Sequence, residues 1–108
     1  MKAALQGRPA GWVAVLATLD TKGEEAAWLR RLLADRGLPV RVVDVGILGE
    51  PSVPLEPDDV PRQEVARRAG LTLDEVARLR RDEAMAAMGR GAASVLAQWH
   101  QAGHLLGA

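Results

Sequence analysis

Residues 12 to 19 (WVAVLATL) are apolar but for Thr18 and include the β-branched Val13 and Val15. So short a run, followed at once by a helix signal, predicts a strand buried on both faces. Thr21 and Glu24 stand three apart, as in a capping box, with Asp20 just ahead and Glu24 and Glu25 where a helix dipole favours acids. Ala26, Leu29 and Leu33, with Trp28 and Leu32 alongside, recur at spacings of three and four and predict an amphipathic helix. Gly37 suits its C-terminal end, Pro39 prevents continuation, and Arg31 and Asp35 can pair on its exposed side. Residues 40–46 (VRVVDVG) predict a second buried strand. Strand, helix and strand in this order make a βαβ unit, with the strands parallel and the crossover right-handed.

Residues 47–61 contain four prolines and one glycine, which leaves no room for a regular element. Connections this long in compact domains are usually functional or mobile. Residues 62–70 predict one or two helical turns ending at Gly70, and Thr72 with Glu75 repeats the capping-box pattern at the head of a further helix. A longer helix is predicted from Asp82 to Gln101, with Met85, Met88, Ala92, Val95, Leu96 and Trp99 on its apolar face. Gly89 and Gly91 inside it each cost about 1 kcal/mol against alanine, so close packing or a nearby ligand must compensate. Leu105 to Ala108 read as the first half of a third strand. Residues 1–10 lack periodicity and read as a flexible N-terminal tail, leaving 11–108 as the folded part. The fold class is α/β: a Rossmann-like three-layer fragment with a short parallel sheet and flanking helices. Its core is small, and small domains bury proportionally less surface.

Composition narrows function mainly by exclusion. The 14 basic and 14 acidic side chains cancel, which gives no field to attract nucleic acid or an anionic membrane. Cysteine is absent, ruling out thiol catalysis, disulfides and thiolate metal sites. No run of about 18 apolar residues suggests a membrane span, and the start lacks a signal-peptide pattern, so a cytoplasmic location is expected. Tryptophan (three) is the sole aromatic type, so apolar volume comes from Leu, Val and Ala.

Candidate chemistry gathers where the first strand meets the first helix, Thr18-Leu19-Asp20-Thr21-Lys22-Gly23-Glu24-Glu25. In open α/β sheets ligands bind at this carboxyl edge, and a helix N-terminus offers free N–H groups to an anion. Lys22 could add a charge and the Thr18 and Thr21 hydroxyls hydrogen bonds. The same residues equally fit a plain helix cap with a solvated lysine. The pattern is neither a Walker A loop nor GxGxxG, and its acids oppose an unaided phosphate site. Asp44, at the end of the second strand, could hold a ribose hydroxyl or serve as a turn former. Asp58 and Asp59 read as a solvated loop pair. His100 and His104 lack a third ligand, so no metal site is assigned, and no catalytic residue is assigned either. The charged segment 78–83 (RLRRDE) reads as a solvated helix face rather than a nucleic-acid contact.

Four segments in order, VAVLATLDTKGEEAAWLRRLL, VRVVDVGILGEP, DDVPRQEVARRAG and RDEAMAAMGRGAA, resemble the Tm-one-like ATP-binding domain family, with Arg81, Glu83 and Ala84 standing for its Arg-x-Glu-Ala element. Arg80 and Asp82 depart from that family's common pattern. The resemblance covers 13–108 and implies a Rossmann-like lobe, ATP as ligand of a complete domain, and dimerisation. It also implies a glycine-rich loop that would follow this segment, so the chain reads as the N-terminal part of a longer domain. By position, Thr18, Asp20, Thr21, Lys22 and Asp44 would be the nucleotide-binding residues. The expected partners are a second copy or a complementary chain carrying the glycine-rich loop, with neither nucleic acid nor membrane. Two alternatives stand beside this reading: an interaction or dimerisation module that binds no nucleotide, and a fragment of an enzyme.

Overall fold

The computed structural model describes residues 10–108. The tail expected at 1–10 therefore lies, apart from Ala10, outside the described residues. Three parallel strands, β1 (Trp12–Ala17), β2 (Val40–Asp44) and β3 (Leu105–Gly107), form one sheet in the order β2-β1-β3. β1 and β2 pair in register from Val13 with Val40 to Ala17 with Asp44. β3 reaches only Trp12 and Val13, with an irregularity between them. The fold is thus α/β, as the sequence pattern requires.

Helices cover both faces because neighbouring strand residues point to opposite sides. Val42 joins Val15, Leu19 and Ala26 in a core beneath α1 (Leu19–Ala34). Val43 joins a larger core with Val65 of α2 (Arg62–Arg68), Val76 of α3 (Leu73–Ala77) and Ala87, Met88, Ala92 and Val95 of α4 (Arg81–Gln101). Gly91 lets α2 and α4 touch: a Cβ there would collide with the Val65 carbonyl. At the opposite end of the sheet, Trp12 lies under the Arg41 guanidinium (3.4 Å to the ring centroid) and stacks on His104 at 4.9 Å. Trp99 meets Trp12 edge-on at 5.6 Å.

Three local readings need correction. The first strand ends at Ala17 and the helix begins at Leu19, so Thr21 lies inside the first turn instead of capping it. Thr18 takes the N-cap position without a side-chain bond, and the helix kinks at Lys22 (φ −122°, ψ 22°). The cause is tertiary. Leu19 is buried, its N–H donates to Asp44 at 3.2 Å, and its carbonyl accepts from both the N–H and the hydroxyl of Ser52 at 2.9 Å. Secondly, Trp28 projects into solvent, because the buried side of α1 is carried by Leu19, Gly23 and Ala26.

Thirdly, the 47–61 connection is pinned rather than solvated. Val60 forms a parallel bridge with Val43 along the outer edge of β2, through hydrogen bonds of 2.8 and 3.0 Å. Asp59 is buried, accepts the N–H groups of Val42 and Glu56 at 2.8 Å each, and pairs with Arg30. Asp58 alone behaves as a surface acid, 4.0 Å from Arg41. The Thr72–Glu75 capping box does form, with both reciprocal bonds (2.8 and 3.1 Å).

Candidate functional site

The carboxyl ends of β1 and β2 converge on a buried guanidinium. Arg62, the first residue of α2, donates through Nε to Asp44 Oδ2 at 2.9 Å and through Nη1 to the carbonyls of Leu48 (3.2 Å) and Gly49 (2.6 Å). Its Nη2 lies 3.4 Å from Asp44 Oδ1 and 3.5 Å from Asp20 Oδ1. Asp44 is wholly buried and also accepts the N–H groups of Leu19 and Gly46, so both its oxygens are occupied. Two carboxylates share one guanidinium, and the cluster keeps one net negative charge. Asp20 Oδ1 is buried without a hydrogen-bond donor, while the side chain stays 23% exposed.

Asp20 sits at one end of a cleft of about 830 Å³ between the β1–α1 turn, the β2–α2 loop and α4. The walls are chiefly apolar. Leu16, Leu48, Leu79 and Met85 are exposed large side chains, and all four border this space. Leu16 is open because β3 runs beside only the first two residues of β1. Thr18, Asp20 and Thr21 supply polar groups at one side and Arg81 supplies a cation. The Thr18 and Thr21 hydroxyl oxygens lie 2.9 Å apart. The strand order reverses between β1 and β3, the switch-point arrangement beside which open α/β sheets hold ligands.

Of the five residues singled out from sequence, three line the cleft and two do not. Thr18, Asp20 and Thr21 border it. Lys22 stands outside, largely exposed, 3.7 Å from Glu25. Asp44 does not border it and is engaged by Arg62 and two amides. Among the described residues no three His, Asp or Glu side chains group as a metal site. His104 is taken up by Trp12 and by the Ala10 carbonyl, 3.0 Å from its Nδ1.

Residues 11–108 match the model of the Uncharacterised protein family (UPF0261) N-terminal domain. The chain belongs to the UPF0261 family. A UPF0261 protein of Clostridium tetani (strain Massachusetts / E88) is 34% identical over 85 residues, 78% of this chain and 20% of that protein. The chain thus spans about one fifth of the length of the curated relative it matches. No solved structure matches it. This corrects the family inferred from the four sequence segments: the match is to UPF0261, and no Tm-one-like ATP-binding family is indicated.

Within this UPF0261 lobe, sequence reasoning passed over Arg62 and Arg30 and read Asp59 as half of a solvated loop pair. Each lies in a charged stretch whose solvated reading is the default, and the tertiary fold buries Arg62 and Asp59 and half-buries Arg30. A signal for Arg62 existed in its place directly after Pro61 at a helix start, where an arginine gains nothing from the helix dipole.

Proposed function

We propose that this lobe holds the nucleoside end of a nucleotide, with ATP the candidate, in the cleft beside β1. The observation that carries the reading is the cleft's division: apolar walls over most of its surface, with hydroxyls and a part-open carboxylate gathered at the β1–α1 turn. Small-molecule sites typically span roughly 300–1,000 Å³, mostly apolar with a few convergent polar groups. The exposed part of the Asp20 carboxylate suits ribose hydroxyls, which can donate to it; Thr18 and Thr21 can donate or accept beside it. A phosphate at that end would meet the negative charge of Asp20. Arg81, across the cleft, is the cation an anionic group could approach.

Calorimetry of the chain with adenosine and with ATP tests this. Adenosine is expected to bind saturably and to lose about tenfold in affinity on Asp20→Asn, since a bond to a charged acceptor is worth more than a neutral one. Lys22→Ala is expected to leave adenosine binding unchanged. No saturable heat with either ligand, from a chain folded by circular dichroism, would refute the reading.

A further inference from the structure

We infer that the open stretch of the β1 edge, residues 14–17, is a docking surface for an extended strand from the part of the UPF0261 polypeptide outside this lobe. The inference stands apart from the nucleoside reading, since it concerns backbone pairing along β1 and not a ligand at the β1–α1 turn. The two edges of the sheet are finished differently. On the outer edge of β2, Val60 donates to the Val42 carbonyl and accepts from the Asp44 N–H, the Asp59 carboxylate accepts from Val42, and Arg30 donates to the Val40 carbonyl at 3.1 Å. That edge is closed by the chain's own loop and helix. Along β1, successive residues turn their backbone groups to opposite neighbours. Val13 and Ala17 turn theirs to the β2 side, where the Val13 N–H donates to Pro39 and the Ala17 carbonyl accepts from Val45. Trp12, Ala14 and Leu16 therefore turn theirs the other way, and the Trp12 N–H donates to His104, just before β3. β3 pairs with Trp12 and Val13 and goes no further. Among the described residues no strand lies beside Leu16 on this side.

The bare stretch is built to pair. Its sequence, Ala-Val-Leu-Ala, holds no charge and no proline, the usual means of blunting an edge. It offers about 13 Å of edge at about 3.3 Å per residue. Leu16 lies on the same face of the sheet as Val43, its register partner, and borders the cleft with Leu48, Leu79 and Met85, all of them exposed. A strand laid on the line of β3 meets the Leu16 N–H and carbonyl with its backbone. It also brings alternate side chains over those apolar residues, the two contributions by which added strands bind. UPF0261 relatives have the chain to supply it. The match here is to the family's N-terminal domain, and about four fifths of the Clostridium tetani protein lies outside the matched part. A second copy fits less well, because β3 of each copy would hold the pairing to this short stretch.

Hydrogen exchange resolved to single amides tests this on the 108-residue chain and on a graft in which residues 11–108 replace the aligned segment of the Clostridium tetani protein. In the chain alone the Leu16 amide should exchange about tenfold faster than that of Val15, which faces the β2 ladder; in the graft it should slow about a hundredfold. Leu16→Lys should lower the Tm of the graft by several degrees more than that of the chain, because the added strand would cover the charge. An equal Leu16 rate in chain and graft overturns the inference, as does a slow Leu16 amide in a monomeric chain or an equal Tm loss in both. A slow Leu16 amide in a chain that sediments as a dimer makes a second copy the occupant and overturns it too. Should the graft not fold, the Clostridium tetani protein itself decides: its amide aligned with Leu16 is expected to be slow, and a fast one refutes the pairing. No nucleoside enters these measurements, so the nucleoside reading stands or falls on its own calorimetry.

Discussion

Gly91→Ala and Gly89→Ala place the same methyl group on the same helix two residues apart, and the structure requires opposite outcomes. In each, replacing a helix-interior glycine gains about 1 kcal/mol of intrinsic helix preference. At Gly89 that gain stands alone. At Gly91 the new Cβ would overlap the Val65 carbonyl oxygen and lie 2.8 Å from its carbon and 2.9 Å from Cγ1. The obstacle is backbone and has little freedom to retreat: Val65 and Ala66 are fully buried, and the start of α2 is tied down by Arg62. Forcing a core apart costs typically about 1–3 kcal/mol, and a backbone collision belongs at or above the upper end. Net destabilisation of about 2 kcal/mol is expected for Gly91→Ala, against stabilisation of about 1 kcal/mol for Gly89→Ala. Urea unfolding followed by fluorescence and far-UV circular dichroism would measure both. Trp12 and Trp99 report on the sheet end and on α4. If Gly91→Ala proved as stable as Gly89→Ala, the α2–α4 contact described here would be wrong.

Two further outcomes are expected. Arg62→Leu leaves Asp44 buried without its cation and should cost about 3–5 kcal/mol in urea unfolding, with much of the loss restored in an Asp44→Leu/Arg62→Leu double variant. On the surface, Glu64 accepts bonds from Arg67 at 2.8 and 2.6 Å, with Arg68 adding one at 3.2 Å; together they lower its carboxyl from 4.5 to about 2. A depressed folded-state value stabilises above the unfolded value, so this contribution is present above pH 4.5 and fades as pH falls towards 2. The urea midpoint of wild type should therefore fall more over this range than that of Glu64→Gln. The difference should be modest and shrink in 1 M salt, because the pair is exposed and screened.

The elements were legible where periodicity and punctuation agreed. α4 differs from the pattern by one residue at its start, the Thr72 cap formed as written, and Val40 begins β2 in both. Legibility failed where tertiary contacts overrode local chemistry. Thr21–Glu24 is a sound capping pattern, yet Asp44 and Ser52 capture Leu19 and start the helix early. Asp59 stands in a proline-rich polar stretch that reads as solvated, but its carboxylate replaces missing ladder partners at the edge of β2. Met85 and Leu96 fit the apolar stripe of α4, yet both border the cleft. Position along a stripe cannot tell a side chain that meets the sheet from one that meets an unfilled cleft. Three of the five candidate ligand residues line that cleft because the β1–α1 turn fixes them locally. Asp44, at the end of the neighbouring strand, depends on Arg62 eighteen residues later in sequence, which no local pattern relates to it.

The charge distribution then decides which part of a nucleotide this lobe can favour. A helix N-terminus ordinarily attracts phosphate through free amides. Here the Leu19 amide is taken by Asp44, while those of Thr21 and Lys22 turn inward to the Thr18 carbonyl at 3.1 and 2.8 Å. Lys22, the cation nearest this turn in sequence, leans on Glu25. Arg62 is buried, bonded to Asp44 and to the carbonyls of Leu48 and Gly49, with Asp20 3.5 Å from its Nη2. What remains at the turn is two hydroxyls, the Asp20 amide and a part-exposed carboxylate, and the carboxylate's charge opposes a phosphate there. Asp20→Asn should accordingly weaken adenosine while improving the tolerance of the turn for anions, so the adenosine-to-adenosine-monophosphate affinity ratio should fall. A variant that weakened both ligands equally would show that Asp20 acts through the Arg62 cluster and not by direct contact.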